Sequence, residues 1–336
     1  MTSANKWIIL FLSLILLISF IALGSFYDFM RSGPLPEDRI TLIEKGESIH
    51  EMADQLESAG VIRDAFLFKA YVALSQKHKS LRAGEYLFPL KASYQEVVDI
   101  LVKGESIVHQ LTIPEGLTMR EIFNLVEAAE RLSGVLPTPL PDEGELMPET
   151  YNYTYGDTRS DMVLRMKKEM VTFFDKAWAM RDQSMMLTTK EEVLTLASIV
   201  EKETALPIER PLVAGLYLNR LAIKMPLQAD PTVVYGLTEG KFDLGRDLTL
   251  IDLKDLSPYN TYVHAGLPPK PICSPGKKSI EAVLNPEKSA YLYFVANGEG
   301  GHVFAVTYDE HLKNVAKWRV IKKTQAQEAA STPLAP

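Results

Sequence analysis

Thr188–Leu206 reads TTKEEVLTLASIVEKETAL. Thr189 followed three residues later by Glu192 is a capping-box spacing, in which hydroxyl and carboxylate satisfy the free N–H groups of a helix's first turn. From there Leu196, Ile199, Val200 and Glu203 recur at intervals of three and four and share one helical face. Pro207 bounds the end, because a proline disfavours helical geometry in the residue before it. Glu201 turns instead toward the face of Ala197 and Ser198. The two acids therefore meet different surroundings, and desolvation raises the carboxyl beside Ile199 and Val200. Glu203 is the acid expected to stay protonated near neutral pH, as a general acid must. The competing reading places it near a frayed helix end, either solvated or paired with Lys202 or Arg210.

Toward the C-terminus, Glu209–Leu237 (ERPLVAGLYLNRLAIKMPLQADPTVVYGL) predicts a helix carrying Leu212, Leu216 and Leu221, then a turn and a short apolar segment. Asp230-Pro231 offers a second carboxylate, although aspartate before proline is also an N-cap followed by proline at the first helical position, and the cap is the preferred reading. In Leu256–Gly276 (LSPYNTYVHAGLPPKPICSPG), Tyr259, Asn260, Thr261 and Tyr262 precede a rigid proline-rich loop. Aromatic faces edged by amides and hydroxyls suit a sugar, and equally an ordinary loop. Tyr291–His311 alternates around Asn297–Gly301, a hairpin signal. His302 on that hairpin reads as a structural strand histidine.

Toward the N-terminus the expected layout is α+β. Residues 159–320 form a mixed α+β domain that begins with a long amphipathic helix. Residues 106–158 form a connecting segment of one strand, one helix and then a Pro-, Gly- and Asp-rich stretch over 134–158 that reads as exposed. Residues 40–105 form a small unit with a strand on either side of paired helices; Ser48 caps the first of them, and Ser93 with Glu96 marks the start of a third. Residues 28–39 are a linker. Trp7–Phe26 is an uncharged apolar run of the ~20 residues that cross a bilayer. It is read as a transmembrane helix over 7–27, with residues 1–6 cytoplasmic and the rest beyond the membrane; a cleaved signal peptide is the alternative. Residues 321–336, polar and Pro-containing, are expected to be a disordered tail.

Composition narrows the chemistry. Among 336 residues Cys273 is the only cysteine, so neither an internal disulfide nor a Cys-based metal site can form. Six scattered histidines lack ligand spacing, so no metal and no cofactor is expected. A net charge of −7 leaves no basic footprint for nucleic acid.

Six segments in order, LASIVEKET (196–204), LYLNRL (216–221), MPLQADPTVVYGL (225–237), SPYNTY (257–262), GLPPKPICSPG (266–276) and YLYFVANGEGGHVF (291–304), closely resemble the endolytic murein transglycosylases of the YceG-like, or MltG, family. The resemblance covers nearly the whole chain after the apolar run. It implies a single-pass inner-membrane protein with its catalytic domain in the periplasm, and a LysM-like subdomain over 40–105. It implies cleavage of nascent peptidoglycan glycan strands to 1,6-anhydro-N-acetylmuramic acid ends, and contact with bifunctional penicillin-binding proteins. The family's catalytic glutamate, the second of V-E-K-E-T, falls on Glu203. Gln228, Asp230, Tyr259 and Asn260 match motif positions and are the expected substrate-binding residues. One glutamate suffices in this chemistry, because the muramic acid C6 hydroxyl replaces the attacking water of a hydrolase. One departure is Leu146–Thr158 (LMPETYNYTYGDT), where Met147 stands in place of the aromatic that relatives tend to carry. Two rival readings are a non-catalytic peptidoglycan-binding scaffold, which makes Glu203 dispensable, and a muramidase-type hydrolase, which needs a second carboxylate such as Asp230.

Overall fold

The computed structural model describes residues 29–331 continuously and isolated positions before residue 29. Two compact units account for the chain: one of residues up to 109 with 131–133 and 152–157, the other of 110–130, 134–151 and 158 onward. Among the described residues no helix is long and apolar enough to cross a membrane; the run Trp7–Phe26, expected to be a span, lies largely outside them.

The first unit has the strand–helix–helix–strand layout read from the sequence. β1 (Arg39–Ile43) pairs antiparallel with β2 (Gly84–Phe88), Ile43 opposite Gly84 and Arg39 opposite Phe88. Between them lie α1 (Ile49–Ser58) and α2 (Ala65–Leu74), and α3 (Tyr94–Lys103) follows. Ser48 and Ser93 both cap through reciprocal bonds with the glutamate three residues on. Met52, Ala53, Leu56, Phe68, Val97, Val98 and Leu101 close a core around buried Tyr86 and Phe88. Arg131 belongs here because its guanidinium pairs with the buried Glu85 carboxylate at 3.1 Å.

β3 (His109–Thr112) pairs with β4 (Thr150–Tyr153), and the second unit takes Gln110–Thr112 and Thr150–Tyr151 of them, with α4 (Met119–Ala128) between the two strands in sequence. Part of the stretch read as an exposed connection is core. Leu146 and Met147 are fully buried, and the Met147 N–H donates to Met166 O on α5 (Arg159–Ala179) at 3.2 Å. Met147 thus packs with Met170 and Phe174 rather than facing a ligand. Composition misled because proline and glycine bend the chain here without exposing it: the Cβ that Gly144 lacks would lie 2.9 Å from the Pro271 ring.

At the centre is α6 (Lys190–Glu203), started by the expected Thr189–Glu192 capping box. It is buried on nearly every side, from Val193 to Val200. α7 (Arg210–Ala222) and α9 (Lys277–Leu284) pack on it, while α8 (Asp230–Thr238) begins after a turn. The buried stripe of α7 is Val213, Leu216, Tyr217 and Arg220; of the three leucines read from the sequence Leu216 belongs to it, while Leu212 and Leu221 sit at its margins. Gly215 permits this packing, since a Cβ there would lie 2.3 Å from Glu287 O. The hairpin β5 (Tyr293–Ala296) and β6 (His302–Ala305) has the expected loop, with Val295 opposite Val303. α10 (Tyr308–Ser331) continues through most of the expected disordered tail. Its Ala, Gln, Lys and Glu are good helix formers, and no proline intervenes before Pro333.

Candidate active site

Glu203 closes α6 where the helix leaves the core. Its Oε1 accepts a hydrogen bond of 2.8 Å from the Tyr217 hydroxyl on α7. Burial lifts the carboxyl to about 7 against the opposing Tyr217 bond, with the nearby charge of Asp230 raising it further and that of Arg220 lowering it. The residue keeps some surface, so the proton is both retained and reachable. The frayed-end reading fails: Thr204 is buried, and its Oγ1 donates to Glu209 Oε2 at 3.0 Å. Glu209 in turn accepts from His302 N and bonds His302 Nδ1, both at 2.7 Å. His302 is therefore the clasp holding the end of α6 to the β5–β6 hairpin, in line with its reading as a structural histidine.

The other acid of VEKET is spoken for. Glu201 is paired with buried Arg210 at 2.8 Å and accepts from Gly276 N at 2.9 Å. Burial raises it too, but the bonds to Gly276, Ser279 and Arg210 work against that rise. Face burial alone does not divide the two acids, because Ala197 and Ser198 are buried as well and both carboxyls are raised; their partners do, an ion pair for Glu201 and a phenol for Glu203.

Arg220 and Tyr217, one turn apart on α7, were both missed in the sequence. Arg220 is buried and spends its guanidinium on backbone carbonyls, at 2.6 Å from Leu292 O and 2.6 Å from Leu227 O. It fixes the turn that leads to α8 while its charge is felt at Glu203. Both residues lie within LYLNRL, and the spacing Val213, Leu216, Tyr217, Arg220 is the signal that could have found them.

Asp230 corrects the capping expectation. The N-cap of α8 is Ala229, with no side-chain cap, and Asp230 is the first helical residue. Its carboxylate is exposed and accepts a hydrogen bond of 2.6 Å from the Tyr262 hydroxyl. A cleft of about 740 Å³ runs along α8, lined by Asp230, Val234 and Tyr235 and by Thr118, Arg120 and Lys202. Glu203 is not part of that lining, although its neighbour Lys202 is and the charge of Asp230 is felt at it.

The remaining expected site residues divide. Gln228 is exposed in a left-handed conformation (φ 50°), its N–H donating to Thr261 O at 3.1 Å. Tyr259 packs on Tyr235 with ring centroids 4.8 Å apart, behind the cleft wall. Asn260 is fully buried; its amide donates to Leu253 O and Asp255 O and accepts from Tyr262 N, so it shapes the loop that presents Tyr262. Glu143 is a further acid raised by burial to about 7, against bonds from Met119 N at 2.7 Å and Tyr235 Oη at 3.1 Å. It ties the start of α4 to the cleft-facing side of α8. The sequence hid it in a stretch read as exposed.

Fold and site together define an α+β protein whose central helix ends in a buried carboxyl held by a tyrosine and lifted to about 7. The chain belongs to the YceG-like family, whose profile matches residues 41–317. It is similar to the endolytic murein transglycosylase of Streptococcus pneumoniae (strain ATCC BAA-255 / R6), at 31% identity over 91% of this chain and 64% of that protein. It is also similar to that of Bacillus subtilis (strain 168), at 30% identity over 82% of this chain and 83% of that one. The chain thus spans about 64% of the length of the pneumococcal relative. A crystal structure of a yceG-like protein from Listeria monocytogenes superposes with a TM-score of 0.53 at 31% identity, covering 82% of this chain and 98% of its own.

Proposed function

We propose that the protein is an endolytic peptidoglycan lytic transglycosylase with Glu203 as its acid and base. The observation that carries this reading is the Glu203 carboxyl, lifted to about 7 by burial, held by the Tyr217 hydroxyl and within reach of the charge of Asp230 in the cleft wall. Protonated Glu203 gives its proton to the oxygen bridging N-acetylmuramic acid to the next sugar as the bond from C1 to that oxygen breaks. The C6 hydroxyl oxygen of the same muramic acid then bonds to C1. The carboxylate takes the hydroxyl proton and is restored to its acid form. No water is consumed, and the product ends in a 1,6-anhydro ring. One residue serves both transfers, which is efficient when its pKa lies near the working pH.

The same proposal anchors the chain in the inner membrane through Trp7–Phe26, on the strength of an uncharged run of spanning length. It takes the strand–helix–helix–strand unit over 40–105 as LysM-like, gives the protein a part in ending glycan elongation, and names bifunctional penicillin-binding proteins as partners. The position of Asp230 beside Glu203 supports a second reading, a muramidase-type hydrolase in which Asp230 serves as the second carboxylate. Mass spectrometry of products from uncrosslinked glycan strands decides between them. Anhydro-ended fragments that disappear with Glu203→Gln are expected; reducing ends establish the hydrolase, and intact strands the scaffold.

A further inference from the structure

The hydrogen bond between Tyr262 and Asp230 has no evident structural duty. Asp230 is exposed, caps nothing, and sits at the start of α8 in the wall of the cleft. Its neighbours in the same loop are different. Thr261 is buried, bonding Thr232 Oγ1 at 2.8 Å and Ala229 N at 3.0 Å, and Asn260 is saturated by backbone. Those residues hold the loop. Among the described residues, the Tyr262 hydroxyl and the Asp230 carboxylate have side-chain hydrogen bonds only to each other.

The pair also shares its surroundings with the acid. Burial first, then the bond to Asp230, and then the charge of Glu203 hold the Tyr262 phenol above its ordinary range. The charge of Asp230 is felt in turn at Glu203. One anionic acceptor and one hydroxyl donor therefore stand together beside the residue that would protonate the bridging oxygen.

Such a pair complements a ligand group that carries one N–H donor and one carbonyl acceptor on adjacent atoms, a secondary amide. In an amino-sugar strand, the secondary amide nearest the cleaved bond is the 2-acetamido group, on the carbon next to the anomeric centre. We propose that Asp230 and Tyr262 read the 2-acetamido group of the sugar whose bond is cleaved, Asp230 accepting from its N–H and Tyr262 donating to its carbonyl. This rests on the carbohydrate-cleaving reading above. When the sugar enters, the Tyr262 hydroxyl turns from Asp230 to the amide carbonyl, and the amide N–H replaces it on Asp230. No buried group is left unpaired by the exchange. A sugar with a 2-hydroxyl in that position cannot present a carbonyl to Tyr262, so the phenol stays on Asp230 and the gain is lost.

The test uses the full chain in detergent carrying Glu203→Gln, so that binding is read without cleavage. Calorimetric titration with a tetramer of N-acetylglucosamine is compared with a tetramer of glucose. The acetylated probe is expected to bind about 10- to 100-fold tighter, as one or two hydrogen bonds involving a charged partner imply. Adding Tyr262→Phe or Asp230→Ala should weaken the acetylated probe and leave the glucose probe unchanged. Tyr262→Phe keeps the ring and Asp230→Ala alters an exposed first turn, so a thermal melt matching that of Glu203→Gln confirms an intact fold. Equal affinities for the two probes, no binding of the acetylated one, or an equal loss for both in the variants overturns the proposal. The product assay on Glu203 fails separately. Discrimination without any cleavage leaves the acetamido clamp and removes the lyase, whereas anhydro products with no discrimination do the reverse.

Discussion

Replacing Tyr217 with phenylalanine removes one oxygen from the site and leaves the packing in place. The ring stands edge-on to Phe294 with centroids 6.1 Å apart, and phenylalanine keeps that contact. What goes is the donor 2.8 Å from Glu203 Oε1. A hydrogen bond to a charged group contributes about 1.5–3 kcal/mol, and 1.36 kcal/mol corresponds to one pH unit. The donor favours the ionised carboxylate over the acid, so its loss moves the Glu203 pKa upward from about 7, by roughly one to two units. In the proposed mechanism the reaction starts from protonated Glu203. The wild-type rate should therefore fall on the alkaline side around pH 7, and the variant's fall should move to roughly pH 8–9. Its plateau kcat should drop about tenfold or more, because the acid loses the bond that aims it. The assay is the rate of release of anhydro-ended fragments from uncrosslinked strands between pH 5 and 10. An alkaline limb that stays in place or moves downward would falsify the assignment of Tyr217 as the group that holds Glu203.

Further expectations concern stability as well as rate. Glu203→Gln should abolish cleavage yet stabilise the fold in alkali. The native carboxyl is raised from an ordinary 4.5 to about 7, so wild type loses stability as pH rises through that window and glutamine does not. The gain at pH 8 is at most about 3 kcal/mol, reduced by the residue's partial exposure, and vanishes at pH 4; urea unfolding at both pH values measures it. Arg210→Met strands Glu201 in the core beside Gly276 and should destabilise by about 3–5 kcal/mol in the same assay. Gly215→Ala, whose methyl meets Glu287 O, should lower stability by about 1–3 kcal/mol, read as a lower Tm.

Local periodicity located the centre of this protein. The capping box at Thr189, the stripe through Leu196, Ile199 and Val200, and the separation of Glu203 from Glu201 by helical face are properties of 3.6 residues per turn, and they survive in the fold. The hairpin around Asn297–Gly301 and the strand–helix–helix–strand unit were legible for the same reason, since each is specified by neighbours a few residues apart. Composition was the weaker guide. It marked Leu146 and Met147 as parts of an exposed connection because it registers prolines and glycines but not what a bent chain packs against. It also read the residues after 320 as a disordered tail, weighing polarity over helix propensity, where α10 runs on to Ser331.

The sequence by itself determined that Glu201 and Glu203 leave the helix on different faces, because that separation is written into the spacing of the helix. It did not determine their partners. Tyr217 lies 14 residues from Glu203, and Tyr262 lies 32 from Asp230. Nor could spacing show that Arg220 is spent on the carbonyls of Leu227 and Leu292, or that Glu143 closes on Tyr235 from 92 residues away. A hydrogen bond depends on distances of about 3 Å between atoms that only chain folding brings together. The tertiary structure therefore decided the charge on Glu203, since desolvation and its phenol neighbour both come from other segments of the chain.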